Sequence, residues 1–292
     1  MKLTAQQQAL LPSDDDVKSF WEHGYYISKQ ILSDEQLDGA SAAMDRYHDG
    51  QRDAKLPGGK EVPWNWKPEQ VNLLRKNDYS CLESNEVMAL ARNPILGAIS
   101  ARLMDKKCYR LWHDQLLYKP TDKQAGGKPA NIGWHTDRSY WLVASSDDLI
   151  TAWIPFHDVT EKMGTIQMVD GSHKWPNNLD FEKFNFTNAD LNNVEKMFDT
   201  AGNKVVKIPL ELKKGQVSFH HCFTIHGSGP NFTDTPRRSL AVHMQPCENR
   251  YRVLNDKRGK PFWHFNNEIA RKDERGLPDY TDPACFPMLW EE

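Results

Sequence analysis

Hydrophobic and polar positions change rhythm along this chain. The first fifty residues read as helical: Ser13 precedes Asp14-Asp15-Asp16 as an N-cap with acids in the first turn, and Gly24 closes the segment. Ser33-Asp34-Glu35-Gln36 is a capping box for a second helix, and Tyr25-Tyr26-Ile27-Ser28 between the two is short and extended. The stretch Lys55 to Pro68, with Pro57-Gly58-Gly59 and Pro63-Trp64-Asn65-Trp66-Lys67-Pro68, fits neither period and predicts a loop. A helix follows over Asn85 to Met104, broken at Asn93-Pro94.

From Tyr109 onward the texture is that of short strands. They are predicted at Gln115–Tyr118, Ile150–Ile154, Thr165–Val169, Val205–Ile208, Val217–Phe219 and Arg238–Met244. Turn chemistry separates them and no strand-helix alternation appears, which favours an antiparallel sandwich or barrel over a parallel α/β sheet. Asp180 to Phe198 reads as a helical or irregular insertion between strands. No internal repeat or low-complexity segment is visible.

Composition narrows the function. A net charge of -3 over 292 residues gives no reason to expect nucleic acid or an anionic membrane as partner. No apolar run approaches the ~20 residues of a membrane span, and Met1 to Leu11 lacks the build of a signal peptide, so a cytoplasmic location is expected. Five cysteines, Cys81, Cys108, Cys222, Cys247 and Cys285, form no Cys-x-x-Cys pair, which argues against a disulfide framework and against cysteine-ligated zinc. Of the 10 Trp, Trp64, Trp66 and Trp263 stand in Pro- and Gly-containing stretches, where a pocket rim or lid is expected; Trp290 reads as core.

The candidate chemistry centres on His135-Thr136-Asp137. On an extended strand, residues two apart point to the same face, so His135 and Asp137 can reach one metal ion. A second histidine from a distant strand would complete a 2-His-1-carboxylate face with three open positions, as oxygen chemistry requires, whereas a closed four-ligand shell would suggest structural zinc. The tripeptide alone is weak: with 11 His in the chain, about one His-x-Asp is expected by accident. Its surroundings carry the weight.

Those surroundings resemble the phytanoyl-CoA dioxygenase family of Fe(II)- and 2-oxoglutarate-dependent oxygenases. Phe20-Trp21-Glu22-His23-Gly24-Tyr25-Tyr26 is similar to the family's opening helix-to-strand passage. Leu116-Leu117-Tyr118-Lys119-Pro120, then His135-Thr136-Asp137 with Tyr140-Trp141, then Trp153, Gly164-Thr165-Ile166 and Gly171-Ser172-His173 match its middle strands in order. His226-Gly227-Ser228-Gly229-Pro230-Asn231, with Arg237-Arg238, matches the distal segment in order and spacing. Two departures, Asp170 where many members have proline and Met163 where asparagine is frequent, bear on loop geometry rather than on the metal set.

The resemblance implies a mainly β fold, a double-stranded β-helix (jelly roll, cupin-like) core flanked by N-terminal helices. One dioxygenase domain is expected over 1–292, with a helical flank at 1–105, a core at 106–250 carrying an insertion near 174–204, and an extension at 251–292. It further implies Fe(II) on His135, Asp137 and His226, with O2 as oxidant and 2-oxoglutarate as co-substrate. The far carboxylate of 2-oxoglutarate would lie on Arg237, whose planar fork suits a carboxylate. Ser228, Lys119 and Gln115 join that set, with Trp153 as a wall. Only one of Arg237 and Arg238 can serve, because neighbours in a strand face opposite ways; the spacing from His226 favours Arg237. Asp137 holds the position a halide would need, so hydroxylation is expected rather than halogenation.

Other readings have less support. Residues 220 and 226 would share a face of a regular strand, but His220 is expected as a neighbour of the site, not as a fourth ligand. His113, His157, His173, His243 and His264 are expected in structural or rim roles. No serine sits in a Gly-x-Ser-x-Gly elbow, which removes a hydrolase. A non-catalytic metal- or ligand-binding member of the fold and a nucleic-acid repair oxygenase are the alternatives, the latter opposed by the charge balance. Substrate residues are expected among Trp64, Trp134, Arg138, Tyr140, Trp141 and Trp263, with Tyr79 and Trp112 in the wider pool. They suggest a small metabolite with an apolar or ring-containing part and at most one anionic anchor, Arg138. A CoA thioester would need a basic cluster that is not evident, and no obligate protein partner is implied.

Overall fold

Side-chain caps decide where the helical flank begins. After a single turn at α1 (Ala5–Gln8), α2 (Asp14–His23) and α3 (Asp34–His48) start at the predicted caps: Ser13 and Ser33 accept from the backbone N–H of Asp16 and Gln36, whose side chains reach back to the caps. Gly24 ends α2 with φ 86°, and a Cβ there would run into His173 and Thr224. The predicted break at Asn93-Pro94 divides α4 (Asn85–Ala91) from α5 (Pro94–Met104), and the Asn93 side chain caps the second. Two further short helices are α6 (Val194–Met197) and α7 (Asn266–Ile269).

This computed structural model describes residues 1–70, 74–126, 130–176, 191–192, 194–256 and 258–292. Its strands are β1 (Tyr25–Ile27), β2 (Arg75–Asp78), β3 (Cys108–Lys119), β4 (Ile132–His135), β5 (Ile150–Pro155), β6 (Ile166–Val169), β7 (Lys207–Pro209), β8 (Ser218–His221), β9 (His226–Ser228), β10 (Arg237–Pro246) and β11 (Met288–Glu291). A seven-stranded sheet runs β1-β8-β5-β10-β3-β11, with β2 also pairing β3, and a four-stranded sheet runs β4-β9-β6-β7. All pairings are antiparallel, as the turn-separated strands predict. The fold is the cupin-like double-stranded β-helix.

Period-two alternation gives the large sheet two unlike faces. Leu240, Val242 and Met244 of β10, with Leu116, Ile150, Ile154 and Phe219, pack against Leu37, Val87, Ile95 and Leu103 of the helices. Each such fully buried side chain contributes about 1.5–3 kcal/mol. The alternate residues face the small sheet, where Trp153 and Ala241 meet Ile166, Met168, Leu210 and Leu212. One face therefore stabilises, and the other is left for polar groups.

Two details differ from expectation. Cys108 and Cys247 form a disulfide with Cα atoms 5.5 Å apart, which corrects the reading against disulfide pairing. The cause is register: Tyr109 opposes Pro246 across β3 and β10, so cysteines 139 positions apart in sequence arrive face to face, and cysteine spacing carries no sign of it. The strand predicted from Gln115 extends back to Cys108, because β10, β2 and β11 all pair with it. Of the insertion near 174–204, residues 177–190 and 193 lie outside the described residues, as does most of the stretch from Asp180 to Phe198. Among the described residues no helix is long and apolar enough to cross a membrane.

Candidate metal centre and its two cavities

The small sheet brings the candidate ligands together by register. His135 ends β4 and His226 begins β9, and the two stand directly opposite in the antiparallel pair. The strand stops at His135, but Thr136 stays extended (φ −111°, ψ 141°) before Asp137 opens a 3-10 turn, so the same-face relation of His135 and Asp137 survives. One nitrogen from each histidine and one carboxylate oxygen lie within 4.8 Å of one another, all three residues buried.

Hydrogen bonds fix which atoms face inward. Nδ1 of His135 is 2.7 Å from the Gly133 carbonyl, and Nδ1 of His226 is 2.9 Å from the Thr224 carbonyl. A carbonyl only accepts, so both Nδ1 atoms carry the proton and both Nε2 atoms present lone pairs. These Nε2 atoms lie 3.8 and 3.6 Å from Asp137 Oδ1. The other carboxylate oxygen is occupied: Thr151 donates to Asp137 Oδ2 at 2.6 Å, and His220 Nε2 lies 3.2 Å from it. Burial lowers the pKa of His135 and His226, keeping both imidazoles neutral. Burial by itself would raise the Asp137 carboxyl, but the imidazoles of His226, His220 and His243 hold it well below the usual range. Two neutral imidazole lone pairs converging on an ionised carboxylate are the protonation states a divalent metal requires.

His220 reaches the centre by a route the sequence did not suggest. Residues 220 and 226 do not share a regular strand; β8 ends at His221 in the large sheet and β9 begins at His226 in the small one. His220 instead belongs to a row across four neighbouring strands, His220–Thr151–His243–His113, whose members are register partners. Thr151 escaped notice because its only signal is this register.

Two cavities flank the triad. The smaller, about 40 Å³, is lined by Gln115, Trp153, Ser228 and Arg237. Arg237 is buried, donates to the Gly164 carbonyl and holds its guanidinium 5.3 Å from the Trp153 ring centre. Gly164 has φ +63°, and a Cβ there would strike the carbonyls of Gly229 and Pro230. Lys119, beside this cavity and fully buried, donates to Ser228 Oγ at 2.7 Å and to the Gly229 carbonyl. Among the described residues neither Lys119 nor Arg237 has an acidic partner. Burial and the Arg237 charge lower the Lys119 pKa well below its ordinary value. Arg238 turns outward to Ser41 and Asp45 of α3.

The larger cavity, about 230 Å³, shares Gln115, His135, Asp137 and His243 with the smaller. Trp64, Tyr79, Tyr140, Trp141 and Trp263 line it, together with Lys76, Asp78, His113, His264 and Phe265. Trp134 and Arg138 do not. Arg138, the expected anionic anchor, is buried and engaged by Asp147 and the carbonyls of Trp141 and Ala144. Trp134 packs with Val169, Trp175 and Val194 and donates to the Leu191 carbonyl. Trp112 is core against Tyr280 and Phe286, and Trp66 packs on His48 and Arg75. The Lys76–Asp78 pair was not legible in advance, because its relation to the site depends on β2 docking on β3.

The phytanoyl-CoA dioxygenase (PhyH) family model matches residues 20–239. Peroxisomal phytanoyl-CoA dioxygenase of Rattus norvegicus is 22% identical over 278 residues, 92% of this chain and 79% of the rat protein. The Homo sapiens protein of the same name is 29% identical over 144 residues, 48% of this chain and 40% of that one. Among solved structures, the non-heme alpha-ketoglutarate-dependent epimerase SnoN from nogalamycin biosynthesis superposes with a TM-score of 0.65 at 20% identity, covering 98% of this chain and 99% of SnoN. EctD from S. alaskensis, solved with 2-oxoglutarate and 5-hydroxyectoine, gives 0.64 at 18% identity, covering 95% and 88%.

Proposed function

The chain belongs to the phytanoyl-CoA dioxygenase family, and from that premise we propose that it is an Fe(II)- and 2-oxoglutarate-dependent dioxygenase that hydroxylates an unactivated C–H bond of a small metabolite. His135 Nε2, Asp137 Oδ1 and His226 Nε2 would hold the iron. The observation that carries the reading is the buried Arg237 guanidinium, with no described acidic partner, lining the cavity that opens on the triad, with buried Lys119 beside it on Ser228. Uncompensated buried charge is costly, and a bound carboxylate would offset it.

When bound, Fe(II) with 2-oxoglutarate and O2 supplies an oxidant strong enough for such a bond, with succinate and CO2 as co-products. The chain's own residues do the positioning. Arg237 and Ser228 orient the far carboxylate, and Trp153 and Gln115 border its path. Thr151 and His220 occupy Asp137 Oδ2, leaving Oδ1 for the metal. Asp137 fills the coordination position a halide would take, which favours oxygen insertion over halogenation.

Anaerobic addition of Fe(II) and then 2-oxoglutarate to the metal-free protein is expected to raise the visible charge-transfer band of the chelate, with succinate forming once air and substrate are admitted. A wild-type protein that binds neither would sink the proposal.

A further inference from the structure

Hydrogen-bond accounting on the wall of the larger cavity leaves specific atoms unanswered. The Trp141 indole N–H, a donor only, lies 3.1 Å from His113 Nε2. That nitrogen accepts, so in the neutral ring the proton is on Nδ1, and His113 Nδ1 is buried without a partner. Thr151 gives its hydroxyl proton to Asp137, since a carboxylate only accepts; its oxygen therefore accepts from His243 Nδ1 at 2.8 Å. His243 Nε2 is then an acceptor, and it too is buried without a partner. The two rings are 4.4 Å apart, one offering a donor and the other an acceptor. On the same wall Asp78 Oδ1 is buried and unpartnered, while Oδ2 takes the Trp64 indole N–H at 2.5 Å and the Lys76 ammonium at 3.3 Å.

We propose that this cavity receives a small neutral hydroxylated ring compound, of sugar or cyclitol type, whose hydroxyl groups pair with His113, His243 and Asp78. The inference rests on the reading of the triad as the reaction centre and names its substrate class. A hydroxyl both donates and accepts, so one such group answers His113 Nδ1–H and His243 Nε2 together, and a second answers Asp78. An unmatched buried polar atom costs about 1–3 kcal/mol, so three on one wall favour a ligand that satisfies them. Charge agrees, because Lys76 and Asp78 offset each other and Arg138 is engaged elsewhere, which leaves no uncommitted cation among the described lining residues for a carboxylate or the phosphates of a CoA ester. The Lys76 ammonium on Asp78 Oδ2 likewise offsets the charge that a cationic guest would seek. At the mouth, Trp64 and Trp263 are 45% and 53% exposed with ring planes 84° apart, giving aromatic faces for the C–H side of a ring. A volume of about 230 Å³ accommodates on the order of fifteen to twenty non-hydrogen atoms.

Isothermal titration of the full chain tests this with myo-inositol, methyl glucoside and methyl galactoside as neutral probes, and choline and octanoyl-CoA as charged ones. Each is run on metal-free protein and, anaerobically, on protein with Fe(II) and 2-oxoglutarate. At least one hydroxylated ring should bind saturably and about tenfold or more tighter than either charged probe. His113→Phe should weaken it about fivefold or more. Trp263→Ala, an exposed position that leaves the core intact, should also weaken it, while Arg237→Ala should not. Tighter binding of choline or octanoyl-CoA, no saturable binding by any ring, or wild-type affinity in both His113→Phe and Trp263→Ala overturns the proposal. Because ring binding is read without the charge-transfer band, loss of that band alone counts against the iron assignment and not against this one.

Discussion

On the Arg237 side of the triad the wall is mostly strand; on the Trp263 side much of it is loop and chain end. The first is narrow and lined by buried Arg237, with its register partner Lys119 on β3 beside it. The second is wider, carries the paired Lys76 and Asp78, and is assembled from β2, the loop bearing Trp64, the 3-10 turn after β4 and the stretch bearing Trp263 to Phe265. Backbone ladders hold strand side chains in place, which suits a co-substrate that never changes. Loops vary without cost to the ladder, which suits the partner that differs between relatives.

The contrast breaks most sharply at Arg237. Arg237→Ala is expected to raise the KM for 2-oxoglutarate by about 30- to 1000-fold, the range of a truncated buried charge pair, while leaving ring-compound affinity unchanged. If both affinities fall together in steady-state kinetics and calorimetry, the two sides are not independent. Next in size is Thr151→Val, which removes the hydroxyl that holds Asp137 Oδ2 and should weaken Fe(II) binding by about 10- to 100-fold in a competition assay with a metal chelator. An unchanged iron affinity would leave His220 as the sole support of that oxygen.

The smallest effect concerns acid. Burial holds His113 on the substrate side and His221 on the far edge neutral, each lowered to about 3. Unfolded imidazoles titrate near 6.5, so below that pH the unfolded state takes up protons that the fold refuses. The stabilising contribution is complete above pH 6.5 and is lost as pH falls toward 3. Melting of the metal-free protein should therefore drop by several degrees between pH 6.5 and 4, at about 2–4 °C per kcal/mol for a chain of this size. His113→Phe should flatten that slope, and Arg237→Ala should leave it unaltered; equal slopes in all three proteins would remove His113 from the account.

Much of this architecture was legible in the chain itself. The N-cap at Ser13, the capping box at Ser33, the break at Asn93-Pro94 and the strand pattern over Arg238–Met244 are local signals, written within a few residues of where they act. The candidate triad and the preference for Arg237 over Arg238 rested instead on family order and spacing, since His226 is far from His135 in the chain. The substrate side was less so. Trp64, Tyr140, Trp141 and Trp263 line the cavity as expected, whereas Arg138 and Trp134, their neighbours in sequence, turn into other contacts. Rotation in a 3-10 turn and competition for buried partners settle such directions, and neither is encoded by adjacency.

By itself, then, the sequence determined the helical flank and the antiparallel β core, because both follow from backbone periodicity and side-chain type, while the candidate ligand set and the candidate co-substrate arginine came from resemblance to the family's order and spacing. Only the tertiary structure decided that Cys108 meets Cys247, that Thr151 and His220 hold the far oxygen of Asp137, and that His113, His243 and Asp78 keep unpaired atoms on one wall. Those outcomes depend on strand register and on which side chains meet across the fold, quantities that exist only once distant segments have packed together.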